Sequence, residues 1–154
     1  MITVRLFEEQ DAEQIATLFH DTVRTVNIRD YSIAQVRAWA PDDIYFRSWV
    51  ELCASRVTYV ADDGGAIAGF GELELNGHID CFYCHSAYQR CGVGRQLYRA
   101  IEAKATELSL HRLFTEASMT AKLFFERMGF STIKEQRVPC RGEILVNYAM
   151  EKFL

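Results

Sequence analysis

The sequence predicts an α/β fold in which a mixed, mostly antiparallel central sheet of about six to seven strands carries helices on both faces. Apolar residues recur with a period of two near the N-terminus and in the middle of the chain, and with helical spacing elsewhere. Two turn signals, DDGG at 62–65 and Asn76-Gly77, join the middle runs and predict antiparallel neighbours. The length of 154 residues suits one domain with its own core, so we expect residues 1–154 to form a single unit.

The N-terminal region predicts one strand and a helix. Ile2, Val4 and Leu6 have the alternating spacing of a strand. Asp11 followed by Gln14 resembles a capping box, in which each side chain binds the other residue's backbone N–H. The helix that follows should bury the apolar residues between 15 and 26.

Two further helices are expected before the middle strands. Ser32 and Gln35 form a second capping-box pattern, and this helix must end before Pro41 because proline lacks a backbone N–H. A third helix is predicted over 42–54. Its inward-facing residues are predicted to be Ile44, Trp49, Val50 and Cys53.

The second half of the chain alternates strands with helices. Gly129 fits a left-handed helix C-cap, and Phe130 opens a new strand after it. The predicted strands lie at 57–61, 66–75, 79–84, 113–117, from 130 onward and at 144–150, and the predicted helices lie at 93–108 and 119–128.

Composition and charge exclude several classes of function. The net charge of −4 and the absence of a basic stripe argue against nucleic-acid binding. No apolar run reaches the roughly 18 residues that span a bilayer, so we expect no membrane partner. The opening residues MITVRLFEEQDAEQ lack a secretory pattern, and the five cysteines are an odd number, which together predict a cytoplasmic protein with reduced thiols.

Residues 81–85 spell C-x-x-C-H, the attachment motif of c-type haem. Cys81 and Cys84 lie in a predicted strand, where residues three apart point to opposite faces and cannot hold one haem or one metal ion. No second cysteine or histidine pair follows that would complete a zinc site. We therefore expect neither haem nor metal.

Residues 89–94 read QRCGVG, and this glycine pair follows an apolar strand and opens an amphipathic helix. A helix N-terminus offers unpaired N–H groups to an anion, and Gly92 and Gly94 let the anion approach the backbone. Arg90 and Arg95 add positive charge. The pattern predicts a phosphate or pyrophosphate site, with a helix N-terminus that binds nothing as the alternative. It is neither a Walker A loop nor a full dinucleotide-binding motif, because no Gly-Lys pair follows and position 97 is leucine.

YCHSAYQRCGVGRQLYRAIE (83–102) resembles the acetyl-CoA-binding motif of the GNAT superfamily of N-acetyltransferases, in which Q/R-x-x-G-x-G/A opens a helix. ASMTAKLFFERMGF (117–130) resembles a later motif of the same superfamily, A-x-x-F-Y-x-x-x-G-F. YSIAQVRAWAP (31–41) and RGEILVNYAMEK (141–152) resemble a bacterial subgroup whose acceptors are uncharacterised. The resemblance covers essentially the whole chain and implies the GNAT-like version of the predicted sheet.

The resemblance implies that acetyl-CoA binds as a co-substrate. Its pantetheine arm would pair with backbone at Phe82, Tyr83 and Cys84, in the manner of an added strand. Ser118 stands where the family often has an asparagine that holds the cofactor. The backbone that would bind the pyrophosphate belongs to Gln89, Arg90, Cys91, Gly92, Val93, Gly94 and Arg95.

The implied reaction is direct attack of an amine on the thioester, which needs a general base. Asp80, His78 and Glu72 are the candidates, and the period of two places His78 and Asp80 on one strand face with Phe82 and Cys84. The family's tyrosine that protonates the leaving thiolate is replaced by Phe125. Either the thiolate leaves unassisted or another hydroxyl replaces the tyrosine. The possible replacements are Tyr148, Ser118 and Thr120.

The acceptor pocket in such enzymes is built by the early helices and last strands, and Tyr31 and Trp39 are the residues that we expect to line it. The acceptor would be a small-molecule amine or an amine of a peptide or protein. A homodimer is also possible, because dimers are common in the family. The alternative function is an acyl-CoA-binding sensor of the same fold without catalysis, and Phe125 is the residue that favours it.

Overall fold

The structure is a computed structural model that describes residues 1–154 and contains seven strands and five α-helices. The strands are β1 (Ile2–Leu6), β2 (Val57–Asp63), β3 (Ala66–Leu73), β4 (His78–Cys84), β5 (Arg112–Ser118), β6 (Ser131–Cys140) and β7 (Glu143–Phe153). The helices are α1 (Ala12–Thr25), α2 (Ile33–Trp39), α3 (Trp49–Ala54), α4 (Val93–Glu107) and α5 (Lys122–Arg127). None of them has both the length and the apolar character needed to cross a bilayer.

The strands form one sheet in the order β1-β2-β3-β4-β5-β7-β6, and only the β4–β5 pair is parallel. The largest core cluster joins α1, α2 and α3 to one face of the sheet, and the other two clusters join α4 and α5 to the opposite face. The predicted mixed sheet with helices on both faces is confirmed.

The start of α1 differs from the prediction. Asp11 is buried and accepts two hydrogen bonds from Arg5, at 2.8 and 2.9 Å, so its carboxylate does not cap the helix. Gln14 reaches across to the β2–β3 turn, where it bonds backbone atoms of Gly65 and Ile67 at 3.0 and 2.8 Å. The capping box forms three residues earlier, between Glu8 and Asp11.

The predicted helix over 42–54 is also shorter than expected, because α3 begins only at Trp49. Ser48 caps it by accepting a hydrogen bond from the Glu51 N–H at 3.3 Å, and residues 40–48 are irregular. Ile44 still packs against the core, and its carbonyl accepts a bond from the Trp49 indole at 2.9 Å. Val50 is 36% exposed and does not face inward as predicted.

Strands β4 and β5 separate after a short contact. They pair only at His78↔Phe114 and Ile79↔Thr115. Beyond that point β4 stays paired with β3, and β5 stays paired with β7. The opening between β4 from residue 80 to 84 and β5 from residue 116 to 118 is called the fork below.

A β-bulge lies at the base of the fork. Between the pairs Leu73↔Ile79 and Gly71↔Phe82, β3 has one residue, Glu72, and β4 has two, Asp80 and Cys81. The extra residue reverses the alternation of side chains that follow it. Phe82 therefore packs on the α4–α5 face, where its ring lies 5.2 Å from Phe124. The prediction that Phe82 and Cys84 share a face with His78 and Asp80 is wrong for this reason.

The base of the fork is held by His78. Its Nδ1 and Nε2 atoms lie 2.8 Å from carboxylate oxygens of Glu74 and Glu116, and its ring stacks on Phe114 at 5.0 Å. The bond to Glu116 is the largest cause that raises the pKa of His78 from 6.5 to about 9, with Glu74 adding to it and burial opposing it. His78 is therefore an imidazolium at neutral pH that joins β5 to the β3–β4 hairpin.

We expect this link to make stability depend on pH. Because the folded-state pKa of about 9 lies above the unfolded value of 6.5, the stabilisation is complete below pH 6.5 and is lost as the pH rises through 9. With both carboxylates partly exposed, the loss should be about 1–3 kcal/mol. Urea unfolding across this range should show it in the wild type and in His111→Gln, an exposed control. An equal decline in His78→Gln would contradict the assignment.

Candidate active site

A groove of about 710 Å³ runs from the fork to the N-terminus of α4. It is lined from α1, from both strands of the fork, from the glycine loop and from α5. The lining residues that the sequence predicted are Phe82, Tyr83, Cys84, Gln89, Arg90, Gly92, Val93, Gly94, Arg95 and Ser118. Cys91 is exposed in the same loop and is not among the lining residues, with its thiol 3.6 Å from the Gln89 carbonyl.

The edge of β4 that faces the fork has unpaired backbone groups. The His85 N–H donates to the Ala68 carbonyl of β3 at 2.8 Å. Because residues of an antiparallel ladder alternate in direction, Phe82 and Cys84 point their N–H and C=O groups away from β3. The Cys84 carbonyl accepts bonds from Gln89 and Thr22 at 2.7 and 3.3 Å. The Phe82 groups and the Cys84 N–H are left to bind an extended ligand.

The glycine loop supplies the other end of the groove. Gly92 caps α4 with a φ of +80°, a left-handed conformation that suits glycine, and a Cβ there would meet nothing within 4 Å. The first N–H groups of this 15-residue helix have no partner within it. Arg90 and Arg95 are exposed on either side. Backbone N–H groups, helix dipole and two guanidiniums thus favour a phosphate at this end.

Ser118 ends β5 on the other side of the fork. Its hydroxyl oxygen accepts a bond from the Ala121 N–H at 3.0 Å and lies 3.5 Å from the Asn27 side-chain nitrogen. Asn27, which is buried, and Thr22 both line the groove, and the sequence analysis missed both. The sequence feature that could have identified them is a polar residue at a position of the first helical region that faces the core. Across the ladder from Ser118, Asn147 has a buried Oδ1 without a hydrogen-bond partner.

Arg56 joins the two carboxylates at the bulge. Its Nη1 bonds Glu72 at 3.0 Å and also bonds Asp80. Glu72 is fully buried and accepts a bond from the Cys53 thiol at 3.4 Å. Burial raises the pKa of Glu72, while Arg56 opposes the rise. The Asp80 side chain is 36% exposed, so it is the carboxylate of this pair that a ligand can reach.

Glu72, Asp80 and Cys81 bring potential metal-binding atoms within 4.8 Å of one another. The Arg56 guanidinium already compensates both carboxylates. Burial raises the pKa of the Cys81 thiol well above its usual value, and the carboxylates add to this, so the thiolate that ligates metals is disfavoured. This group of residues therefore fits a metal poorly.

The C-x-x-C-H motif has the geometry that the sequence predicted. Cys81 packs in the core cluster of α1 and α3, whereas Cys84 packs in the cluster of Val93 and Leu97 on the other face. Two thiols on opposite faces of the sheet cannot attach one haem.

Two of the candidate catalytic residues are placed unfavourably. His78 is already protonated and bonded to two carboxylates, so it cannot accept a proton as the base. Tyr148 donates to Glu135 of β6 at 3.4 Å, has Lys122 over its ring at 5.0 Å, and does not line the groove. The geometry therefore favours neither residue for the catalytic role that the sequence analysis offered.

Tyr31 and Trp39 lie on the face of the sheet opposite α4. The Tyr31 hydroxyl donates to the Val146 carbonyl at 2.5 Å and accepts from the Met119 N–H at 2.9 Å. Its buried ring meets Trp39 edge-on at 5.3 Å, and Trp39 meets Tyr83 at 6.4 Å. The two hydrogen bonds of Tyr31 thus hold β7 against the residue that follows β5. Trp39 is half-buried and packs between Tyr31 and Tyr83 of the fork.

Phe125 is buried against Phe82, Phe124 and Phe130, with ring centroids 5.2 to 5.6 Å away. It is a core residue and brings no hydroxyl to the groove. Of the three hydroxyl residues that the sequence analysis offered as replacements for the tyrosine, Ser118 and Thr120 line the groove, and Thr120 donates its hydrogen to Asp30 at 2.7 Å.

Comparisons with known proteins agree with this geometry. The family described as "Acetyltransferase (GNAT) domain" matches residues 27–152. The uncharacterised N-acetyltransferase YafP of Escherichia coli K12 is 34% identical over 149 residues, which cover 97% of this chain and 94% of that protein.

Solved structures show the same relationship. A GCN5-related N-acetyltransferase from Rhodopseudomonas palustris superposes with a TM-score of 0.92 at 30% identity, over 99% of this chain and 95% of that one. The PaiA N-acetyltransferase of Thermoplasma acidophilum, solved in complex with coenzyme A, shares the fold with a TM-score of 0.81 at 14% identity, over 100% and 99% of the two chains. The chain therefore belongs to the GNAT family of acetyltransferases.

Proposed function

We propose that this acetyltransferase moves the acetyl group of acetyl-CoA to a primary amine by direct attack within a ternary complex. The observation that carries the proposal is the fork, because its unpaired strand edge and the helix N-terminus line one groove, while the partly exposed carboxylate of Asp80 lies at the base of the fork, outside the residues that line that groove. Acetyl-CoA is a long molecule with a pyrophosphate at one end and a thioester at the other, and it fits this order of groups.

The pyrophosphate is placed on the N–H groups that begin α4, between Arg90 and Arg95. The pantetheine arm then extends along β4 and bonds the free groups of Phe82 and Cys84 in the manner of an added strand. The thioester reaches the bulge, where a free N–H of β4 polarises its carbonyl and stabilises the oxyanion that forms during attack.

Asp80 is the proposed general base. It lies at the bulge, it is partly exposed, and it is bonded to Arg56, which fixes its position. The amine nitrogen forms a bond to the thioester carbon, the carbon–sulfur bond breaks, and Asp80 takes the proton from nitrogen. Glu72 has no exposed surface and acts by positioning Arg56 beneath Asp80.

The coenzyme A thiolate leaves without a tyrosine to protonate it, because Phe125 is buried and carries no hydroxyl. A thiol with an ordinary pKa of about 8.5 is a good enough leaving group for this step. The thiolate then takes its proton from solvent at the open groove.

We expect Gly92→Glu to weaken acetyl-CoA binding at least about 100-fold, because a carboxylate would meet the pyrophosphate in the open space beside residue 92. Gly64→Glu is the matched control, since Gly64 has a φ of +62° and is equally open but lies in the β2–β3 turn. Calorimetric titration of acetyl-CoA measures both. Equal affinity in Gly92→Glu and Gly64→Glu would refute the placement of the pyrophosphate.

We expect Asp80→Asn to lower kcat by about 10²- to 10⁴-fold while the affinity for acetyl-CoA stays within twofold, because the amide keeps the size of the side chain but cannot take a proton. Asp21→Asn, at an exposed position of α1, should keep wild-type values. Release of free thiol with a panel of primary amines measures kcat. An unchanged kcat in Asp80→Asn eliminates Asp80 as the base, and acetyl-CoA binding by the wild type without turnover of any amine would favour a sensor.

A further inference from the structure

Arg47 lies in the irregular segment between α2 and α3, with its guanidinium among three aromatic rings. The guanidinium carbon is 4.7 Å from the ring centroid of Phe46, 5.2 Å from that of Trp49 and 5.8 Å from that of Phe19. The side chain is half-buried. Cation–π contacts with several rings stabilise the charge and hold the planar group in one place.

These contacts leave the hydrogen-bonding capacity of Arg47 unused. A guanidinium carries five N–H donors. Arg47 forms no ion pair and donates no hydrogen bond within the protein, and its guanidinium lies against the rings named above. Glu72 and Asp80, the carboxylates of the bulge, are held by Arg56. A fixed, half-buried cation with free donors is suited to an anion that comes from outside the protein.

Arg47 is on the acceptor side of the fork, the face opposite α4. Phe19, which lies against its guanidinium, meets Tyr83 of the fork edge-on at 5.0 Å. The positive charge of Arg47 also lowers the pKa of Cys81 and of Tyr83, against the larger effect of burial, which raises both. The charge of the guanidinium therefore influences residues of β4, the strand that is proposed to face the thioester.

A second guanidinium lies on the same aromatic group. Arg141, in the β6–β7 turn, places its guanidinium carbon 4.8 Å from the ring centroid of Phe46 and donates to the Ala38 carbonyl at 2.8 Å. Its backbone is left-handed, with a φ of 43°. Arg141 forms no ion pair either, so two arginines without carboxylate partners meet at Phe46.

We propose that Arg47, assisted by Arg141, binds a carboxylate of the acceptor, so that the acceptor is an amine that also carries a carboxylate group. This inference rests on the proposed function. The amino group is directed to Asp80 at the bulge, and the carboxylate is bound by the free N–H groups of Arg47. The opposite charges of Asp80 and Arg47 fix the direction in which an amino acid binds. Tyr83, which meets Phe19 edge-on, packs on the same face of the sheet as the helices α1 to α3.

Paired acceptors test the inference. An amino acid and its carboxamide carry the same amine, but only the acid has a carboxylate. The set of acceptors should include α-amino acids and amino acids with a longer spacing between the amine and the carboxylate. We expect the wild type to prefer the acid over its amide by about 10- to 100-fold in kcat/KM, measured by thiol release. The spacing that gives the largest ratio reports the distance between the two ends of the pocket.

Substitution of Arg47 should remove this preference. Arg47→Gln should bring the acid-to-amide ratio to about one. Arg47→Lys should restore part of the preference, because lysine keeps the positive charge but lacks the planar set of N–H donors of a guanidinium. The ratio should keep its wild-type value in Arg37→Gln, which removes the same charge from an exposed position of α2. The affinity for acetyl-CoA should not change in any of the three variants.

Several outcomes overturn the inference. A wild-type enzyme that uses the amides as well as the acids, or uses only amines without a carboxylate, contradicts it while leaving the proposed function intact. An acid preference that survives in Arg47→Gln assigns the carboxylate to another residue. Failure of the wild type to bind acetyl-CoA or to transfer acetyl to any amine is a failure of the proposed function, and it is recognised by the loss of activity with every acceptor.

Discussion

The feature on which the site depends is the bulge at the base of the fork. Two residues of β4, Asp80 and Cys81, lie opposite the single residue Glu72 of β3. The extra residue turns Phe82 to the α4–α5 face and leaves Asp80 beside Arg56 on the other face. Without the extra residue, Asp80 and Phe82 would lie on the same face of the sheet. With it, Phe82 packs against α4 and α5, and the Asp80 carboxylate lies on the opposite face, where the proposed acceptor binds.

The charged residues around the bulge have different roles. Arg56 compensates two carboxylates, one fully buried and one exposed, and so keeps the exposed one in place. His78 is protonated and holds β5 to the β3–β4 hairpin just before the strands separate. Arg47, like Arg141, has no carboxylate partner. An amine with a carboxylate would supply it, and the same acceptor would meet Asp80 with its amino group.

Local sequence patterns were sufficient to predict much of the fold and part of the candidate site. The start of α4 after the glycine loop and the capping box of Ser32 and Gln35 were predicted correctly, because each depends on residues that are close in sequence. The bulge was not predictable in this way, since contacts of Glu72 with Cys53 and Arg56 accompany it and involve distant positions. The link between His78 and Glu116 was missed for the same reason, because Glu116 lies on another strand. The aromatic environment of Arg47 was missed although Phe46 and Trp49 are close in sequence, and only Phe19 is contributed by a distant helix.

The central claim is that acetyl-CoA pairs with the free edge of β4 inside the fork. Amide hydrogen exchange of Phe82 and Cys84, followed by NMR with and without saturating acetyl-CoA, tests it directly. Both N–H groups point away from β3, so the account predicts that the cofactor slows their exchange, with little change at Tyr83, whose N–H already faces β3. Unchanged exchange at Phe82 and Cys84 with the cofactor bound would contradict the account.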